Sequence, residues 1–153
     1  MAKDKLILKN IEVRKSPIHR YGVFAINDIK KDTIIEEAPS VILMDNPLLP
    51  DPLNDYAFGN VTDENTYFQL LPFGYASIIN HSDKPNTEWY FDEDNEIIVF
   101  ITIKDIKKDE EIFHDYGENW FQVREAAQIL NKLEDNFNNG KISINDLRKK
   151  LND

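Results

Sequence analysis

Four short stretches of the chain gather side chains of types that do chemistry. Ser16-Pro17-Ile18-His19-Arg20-Tyr21-Gly22-Val23-Phe24 places a glycine just before an apolar run. The missing Cβ suits either a turn leading into a strand or a close approach of backbone to a ligand. In Phe73-Gly74-Tyr75-Ala76-Ser77-Ile78-Ile79-Asn80-His81-Ser82, followed by Pro85-Asn86, hydrophobic residues run straight into three polar ones. Asn80 and His81 are therefore expected at the end of a buried segment, making structural hydrogen bonds or facing a ligand. Ile112-Phe113-His114-Asp115-Tyr116-Gly117-Glu118-Asn119-Trp120-Phe121 puts three aromatic rings within six residues, either as core filling or as a cleft wall. Asp55-Tyr56-Ala57-Phe58 is an aromatic pair inside a polar connection.

Several chemistries are excluded by the same residues. His81 and Ser82 are adjacent and cannot face one another as base and nucleophile. No G-x-S-x-G elbow occurs. His19, His81 and His114 lack the spacing of a zinc site, and the chain has no Cys, so neither a metal site nor a thiolate nucleophile is expected.

Short strands must position these stretches up to about residue 118. Ile11 to Arg14 alternates with period two, and Val23 to Ile26, Thr33 to Glu36 and Val41 to Met44 are apolar or β-branched runs between turn residues. Glu88 to Phe91 and Glu96 to Ile103 read as a hairpin around Asp92-Glu93-Asp94-Asn95. Residues 45–66 hold three of the seven prolines and read as a long connection with a short helical turn at Leu53 to Phe58. After Asn119 the spacing of Phe121, Ile129, Leu130 and Leu133 turns helical, with Asn138-Asn139-Gly140 as a stop. Ser143 and Asp146 would cap a second short helix through Leu151.

One internal echo stands out. Ile26-Asn27-Asp28-Ile29-Lys30-Lys31-Asp32-Thr33-Ile34-Ile35 resembles Ile103-Lys104-Asp105-Ile106-Lys107-Lys108-Asp109-Glu110-Glu111-Ile112. Asp32 and Asp109 fit turn sites that tolerate left-handed backbone. Two such turns suggest two similar β units.

At 153 residues the chain is of one-domain size, and its 17 aromatics and 41% hydrophobic content exclude a disordered acidic polymer. Lys plus Arg is 18 and Asp plus Glu 28, a net −10, of which 3 − 11 = −8 falls within residues 87–118. Such a run is either a solvated sheet face or a field that attracts a basic partner, and it argues against direct nucleic-acid binding. The apolar run Ile97 to Ile101 is far short of the roughly 18 residues of a membrane span, so no membrane partner is expected. The first residues do not read as a secretory signal, leaving the cytoplasm as default location and the nucleus open in a eukaryotic host.

Together, in order and spacing, the clusters resemble the SET-domain protein lysine methyltransferases. Arg20-Tyr21-Gly22 with Val23-Phe24-Ala25 is similar to that family's first glycine-rich motif. Asn80-His81-Ser82 with Pro85-Asn86 is similar to its central motif, and Ile106 to Ile112 with Asp115-Tyr116-Gly117 to its last. The likeness is greatest to minimal, stand-alone members, including a small viral histone methyltransferase, which lack cysteine-rich flanks. It implies a mainly β fold with short helices: small sheets around a C-terminal pseudoknot, with 6–122 as the SET domain and 123–153 as a helical C-terminal extension.

The resemblance further implies that S-adenosylmethionine is the cofactor. Arg20, Tyr21, Gly22, Asn80, His81, Tyr116 and Phe121 would hold it, while Tyr116 and Tyr21 would be catalytic and Tyr56, Tyr75 and Trp120 would line the substrate-lysine channel. The expected activity is methyl transfer to a lysine of a basic protein, such as a histone-like tail. The alternative is a catalytically degenerate SET module that binds basic proteins through its acidic face. Four positions depart from the pattern: Arg20 and the turn sites Asp32 and Asp109 stand where glycine is common, and Trp120 where Phe or Tyr is usual. The apolar positions of the helical tail also leave room for a homodimer.

Overall fold

The two echoing turns meet face to face. Ile29 and Ile106 exchange backbone hydrogen bonds at 2.8 Å in each direction. Asp28 accepts from the Lys108 amide (2.9 Å) and from Lys107 Nζ (2.9 Å). Asp105 does the same for the Lys31 amide (2.9 Å) and Lys30 Nζ (2.7 Å). The last residues of both turns, Asp32 and Asp109, have φ of 61° and 68°. Each turn thus caps the other, the arrangement expected of two similar β units.

The structure, a computed structural model, describes residues 5–43, 49, 52–61, 67–118, 120–141 and 143. Met1–Asp115 and Tyr116–Asp153 are two compact units. The first holds β1 (Ile11–Lys15), β2 (Tyr21–Ala25), β3 (Ile34–Leu43), β4 (Phe58–Val61), β5 (Tyr67–Pro72), β6 (Asn80–His81), β7 (Thr87–Asp92), β8 (Ile97–Thr102) and β9 (Glu111–His114). They form a four-stranded sheet ordered β1-β2-β9-β6 and a five-stranded sheet ordered β4-β5-β3-β8-β7. Short 3-10 turns lie at Leu53–Tyr56 and Ala76–Ile78. The mainly β architecture with few short helices agrees with the sequence reading.

Burial explains which segments are central. In β8, Ile97, Ile98, Val99 and Phe100 are all buried, as expected of a strand flanked by β3 and β7 and covered on both faces. Val23 and Ala25 of β2 and Ile112 of β9 are fully buried and join the cluster formed by Ile35, Leu70, Ile98 and Phe100. Burying each of the valine, isoleucine, leucine and phenylalanine side chains among them contributes about 1.5–3 kcal/mol.

Two segments differ from the sequence reading. Thr33 to Glu36 and the run from Val41 are one ten-residue strand rather than two, because β3 changes partner midway. Its first part pairs with β8 as far as Pro39↔Ile97, and its second pairs with β5 from Ser40↔Pro72. Pro39 sits at the handover, where its missing N–H interrupts neither ladder. The 45–66 connection keeps the helical turn but also contains β4, and β5 follows it unannounced, since Phe68, Gln69 and Leu70 are buried in succession without alternation. Residues 44–48 and 62–66 lie outside the described ones.

The second unit contains α1 (Trp120–Asn138). It ends where the Asn-Asn-Gly signal predicts: Gly140 has φ 68°, and the Lys141 amide donates to the Asn136 carbonyl at 2.8 Å, a Schellman closure. The helix expected through Leu151 falls on 144–153, outside the described residues.

Candidate active site

At the start of β2, Arg20 has φ 36°, a left-handed conformation that explains why glycine is the easier residue there. The Ser16 amide donates to the Arg20 carbonyl at 3.2 Å and closes the turn. Tyr21 is 55% exposed, whereas Gly22 is buried. A Cβ on Gly22 would collide with Glu111 Oε1 and crowd Asn80 Nδ2 at 3.0 Å. The group that approaches this glycine is therefore the Glu111 carboxylate together with the Asn80 amide, so the missing Cβ makes room for protein atoms.

Asn80 begins β6, the short strand that pairs in parallel with β9 (Asn80↔Phe113, His81↔His114). The residue is buried, and its Nδ2 donates to the Tyr21 carbonyl at 3.0 Å and to Glu111 Oε1 at 2.8 Å. Ser16 Oγ donates to Glu111 Oε2 at 3.0 Å. The first and central motifs are thus joined through a carboxylate from the last. His81 Nε2 lies 3.0 Å from Asp83 and its Nδ1 3.7 Å from Asp115. Asn86 acts as a clamp on β9: its side chain donates to the Glu111 carbonyl at 2.8 Å and accepts from the Phe113 amide at 2.7 Å.

Two buried titratable groups support this frame. Glu36 is 2% exposed, and desolvation pushes its carboxyl up to about 7, opposed by hydrogen bonds from the Tyr75 and Ala76 amides. The Tyr75 amide donates to Oε1 at 2.6 Å, while Oε2 has no hydrogen-bond partner among the described residues. Glu36 thereby ties β3 to the segment leading into Asn80. His114 is pulled down to about 4, chiefly by desolvation. It is the neutral imidazole whose Nδ1–H donates to the Asp115 carbonyl at 3.0 Å, and its ring stacks on Phe58 at 5.3 Å.

Tyr56 is 40% exposed on the first 3-10 turn, and its carbonyl accepts from Ser77 Oγ at 3.1 Å, next to the turn that Tyr75 begins. In the second unit Tyr116, Trp120 and Phe121 form one aromatic group. Trp120 lies 4.8 Å from Tyr116 and 4.7 Å from Phe121, and Tyr116 and Phe121 are near-parallel at 6.4 Å. The Arg124 guanidinium sits 3.6 Å over the Trp120 ring.

The structure thus brings Tyr21, Gly22 and Asn80 to one junction, and gathers Tyr116, Trp120 and Phe121 into another cluster. Sequence reasoning did not single out Glu111, Ser16, Asn86 or Glu36 as site residues. Glu111 alternates with the buried Ile112 and His114, the one signal that could have separated it from a solvated acidic run.

The last strand, β9, thus lies between β2 and β6, directly beside the Asn80-His81 pair. The SET domain family model matches residues 20–117, and the chain belongs to this family. Among curated relatives, a Schizosaccharomyces pombe histone-lysine N-methyltransferase specific for H3 lysine-37 is 29% identical over 140 residues, covering 88% of this chain and 90% of its own length. A Chaetomium globosum histone-lysine N-methyltransferase specific for H3 lysine-4 is 29% identical over 117 residues, covering 71% of this chain but 11% of its own length. A Plasmodium falciparum crystal structure provisionally described as a histone methyltransferase has a TM-score of 0.59 at 36% identity, covering 75% of this chain and 99% of that one. A humanized mutant of the Chaetomium thermophilum Polycomb Repressive Complex 2 has a TM-score of 0.59 at 25% identity, covering 73% of this chain and 15% of that one.

Proposed function

We propose that the chain is an S-adenosylmethionine-dependent protein-lysine N-methyltransferase acting on a basic protein of the histone class. The observation that carries this reading is the junction at which Asn80 meets the Tyr21 carbonyl and, through Glu111, the last motif. Both hydrogens of the Asn80 amide are spent there, so Oδ1 is its remaining polar atom, an acceptor suited to the cofactor's ammonium group. When bound, the cofactor supplies a methyl group activated on a sulfonium sulfur.

The chain's own residues do the rest. Arg20, Tyr21 and Gly22 offer backbone groups to the cofactor, Asn80 and His81 hold its two ends, and Phe121 provides a face for adenine. Tyr116, assigned by its place in the Asp115-Tyr116-Gly117 motif, holds the transferring methyl by C–H···O contact and aligns it for in-line displacement. Tyr21, Tyr56, Tyr75 and Trp120 serve as aromatic walls that favour a cationic substrate. The substrate lysine, with an ordinary pKa of about 10.4, must be neutral to attack, and an apolar channel beside a positive sulfur favours that form.

The substrate class follows from charge and from the histone-lysine activities of the relatives. Glu88, Glu93, Asp94 and Glu96 are exposed around the β7–β8 hairpin, with no ion pair among the described residues, and suit a lysine-rich tail. The test is transfer of labelled methyl to a basic protein by the wild type and by Tyr116→Phe. The variant should keep the fold and lose about a hundredfold or more in rate. Equal rates would contradict the role of Tyr116.

A further inference from the structure

We infer that Glu111 is a positioning residue that fixes which end of the Asn80 amide is presented to the amino-acid end of the cofactor. The inference rests on the reading above that S-adenosylmethionine binds at Tyr21, Gly22 and Asn80. An amide offers two hydrogens at Nδ2 and an acceptor at Oδ1, and the two ends have nearly the same shape. Nδ2 gives one hydrogen to the Tyr21 carbonyl (3.0 Å) and the other to Glu111 Oε1 (2.8 Å). Both partners only accept. A flipped amide would set Oδ1 against a carbonyl oxygen and a carboxylate oxygen at once, losing two hydrogen bonds and gaining two repulsions. Asn80 is 6% exposed, so water has little room to compensate.

The aim of Glu111 is itself fixed. Ser16 Oγ holds the other carboxylate oxygen at 3.0 Å. Gly22 leaves the space the carboxylate fills, space that any Cβ at that position would take. The site therefore selects a hydrogen-bond donor at Asn80, which matches an ammonium group and mismatches a carboxylate. Tyr21 alone engages one hydrogen, so Glu111 supplies the charge-assisted bond that makes the orientation decisive.

The test is calorimetric titration of the full chain with S-adenosylmethionine and with 5′-methylthioadenosine, which keeps the adenosine and the methyl-bearing sulfur, now an uncharged thioether, but lacks the amino-acid end. Glu111→Ala should weaken S-adenosylmethionine by about tenfold or more and methylthioadenosine by less than about twofold. Glu111→Gln, which keeps an acceptor for Nδ2, should stay within about threefold of wild type for both. Where Glu111→Ala fails to fold, Ser16→Ala should give a smaller loss with the same selectivity for the ligand that carries the amino-acid end. Equal losses for the two ligands, or no loss in a folded variant, would overturn the inference. A wild-type chain that binds neither ligand would contradict the cofactor reading itself, and the inference with it.

Discussion

Glu36 and His114 are buried groups whose titrations pull stability in opposite directions. Glu36 is held at about 7 against an ordinary 4.5, so the folded chain binds the extra proton. The stability linked to it is fully present below about 4.5 and is lost as pH rises through about 7, by up to roughly 3 kcal/mol. His114 is held at about 4 against an ordinary 6.5, so the unfolded chain binds the extra proton, and stability is lost as pH falls from about 6.5 to about 4. Glu36→Gln should therefore remove the decline toward neutral pH and leave the His114 decline toward acid. Urea midpoints measured across this range check the pair, and an unchanged profile in Glu36→Gln would contradict the burial account. Gly22→Ala belongs to the same scale. Its Cβ must displace the Glu111 carboxylate, so the variant should lose about 1–3 kcal/mol and weaken cofactor binding, measured by denaturation and calorimetry.

Among the elements, β9 carries the most responsibility, because it lies between β2 and β6 and brings Glu111 to the junction. Asn86 holds it with two side-chain bonds to backbone groups of Glu111 and Phe113. Asn86→Ala orphans a carbonyl and an amide and should cost about 2–4 kcal/mol by chemical denaturation. The facing turns make a gentler prediction: Asp28→Ala should speed amide exchange at Ile29 and Ile106, whose mutual bonds the aspartate supports. This level also shows what the sequence could and could not reveal. The paired turns, the β7–β8 hairpin and the stop of α1 were legible, since each is written in local turn chemistry or periodicity. β4 and β5 were not, because burial on successive residues erases alternation and the pairing partners are distant in sequence. For the same reason the motifs could be placed in order, but Glu111 as their common partner could not, since its contacts to Ser16 and Asn80 span 95 and 31 residues.

On the scale of the whole molecule, the net charge of −10 is unevenly available. Asp28, Asp105 and Asp109 are paired with Lys107, Lys30 and Arg14. The exposed acids around the β7–β8 hairpin have no ion pair among the described residues, which suits the proposed attraction of a basic tail from a distance. Reversing Glu93 and Asp94 to Lys should raise KM for a basic protein and flatten its salt dependence while leaving cofactor affinity unchanged, as steady-state kinetics at two ionic strengths would show. The central claim is tested most directly by incubating the chain with S-adenosylmethionine and a core-histone mixture and locating added mass by tandem mass spectrometry. The account predicts methyl groups on lysine Nζ of the basic protein, lost in Tyr116→Phe. Cofactor binding without any methylated lysine would contradict it.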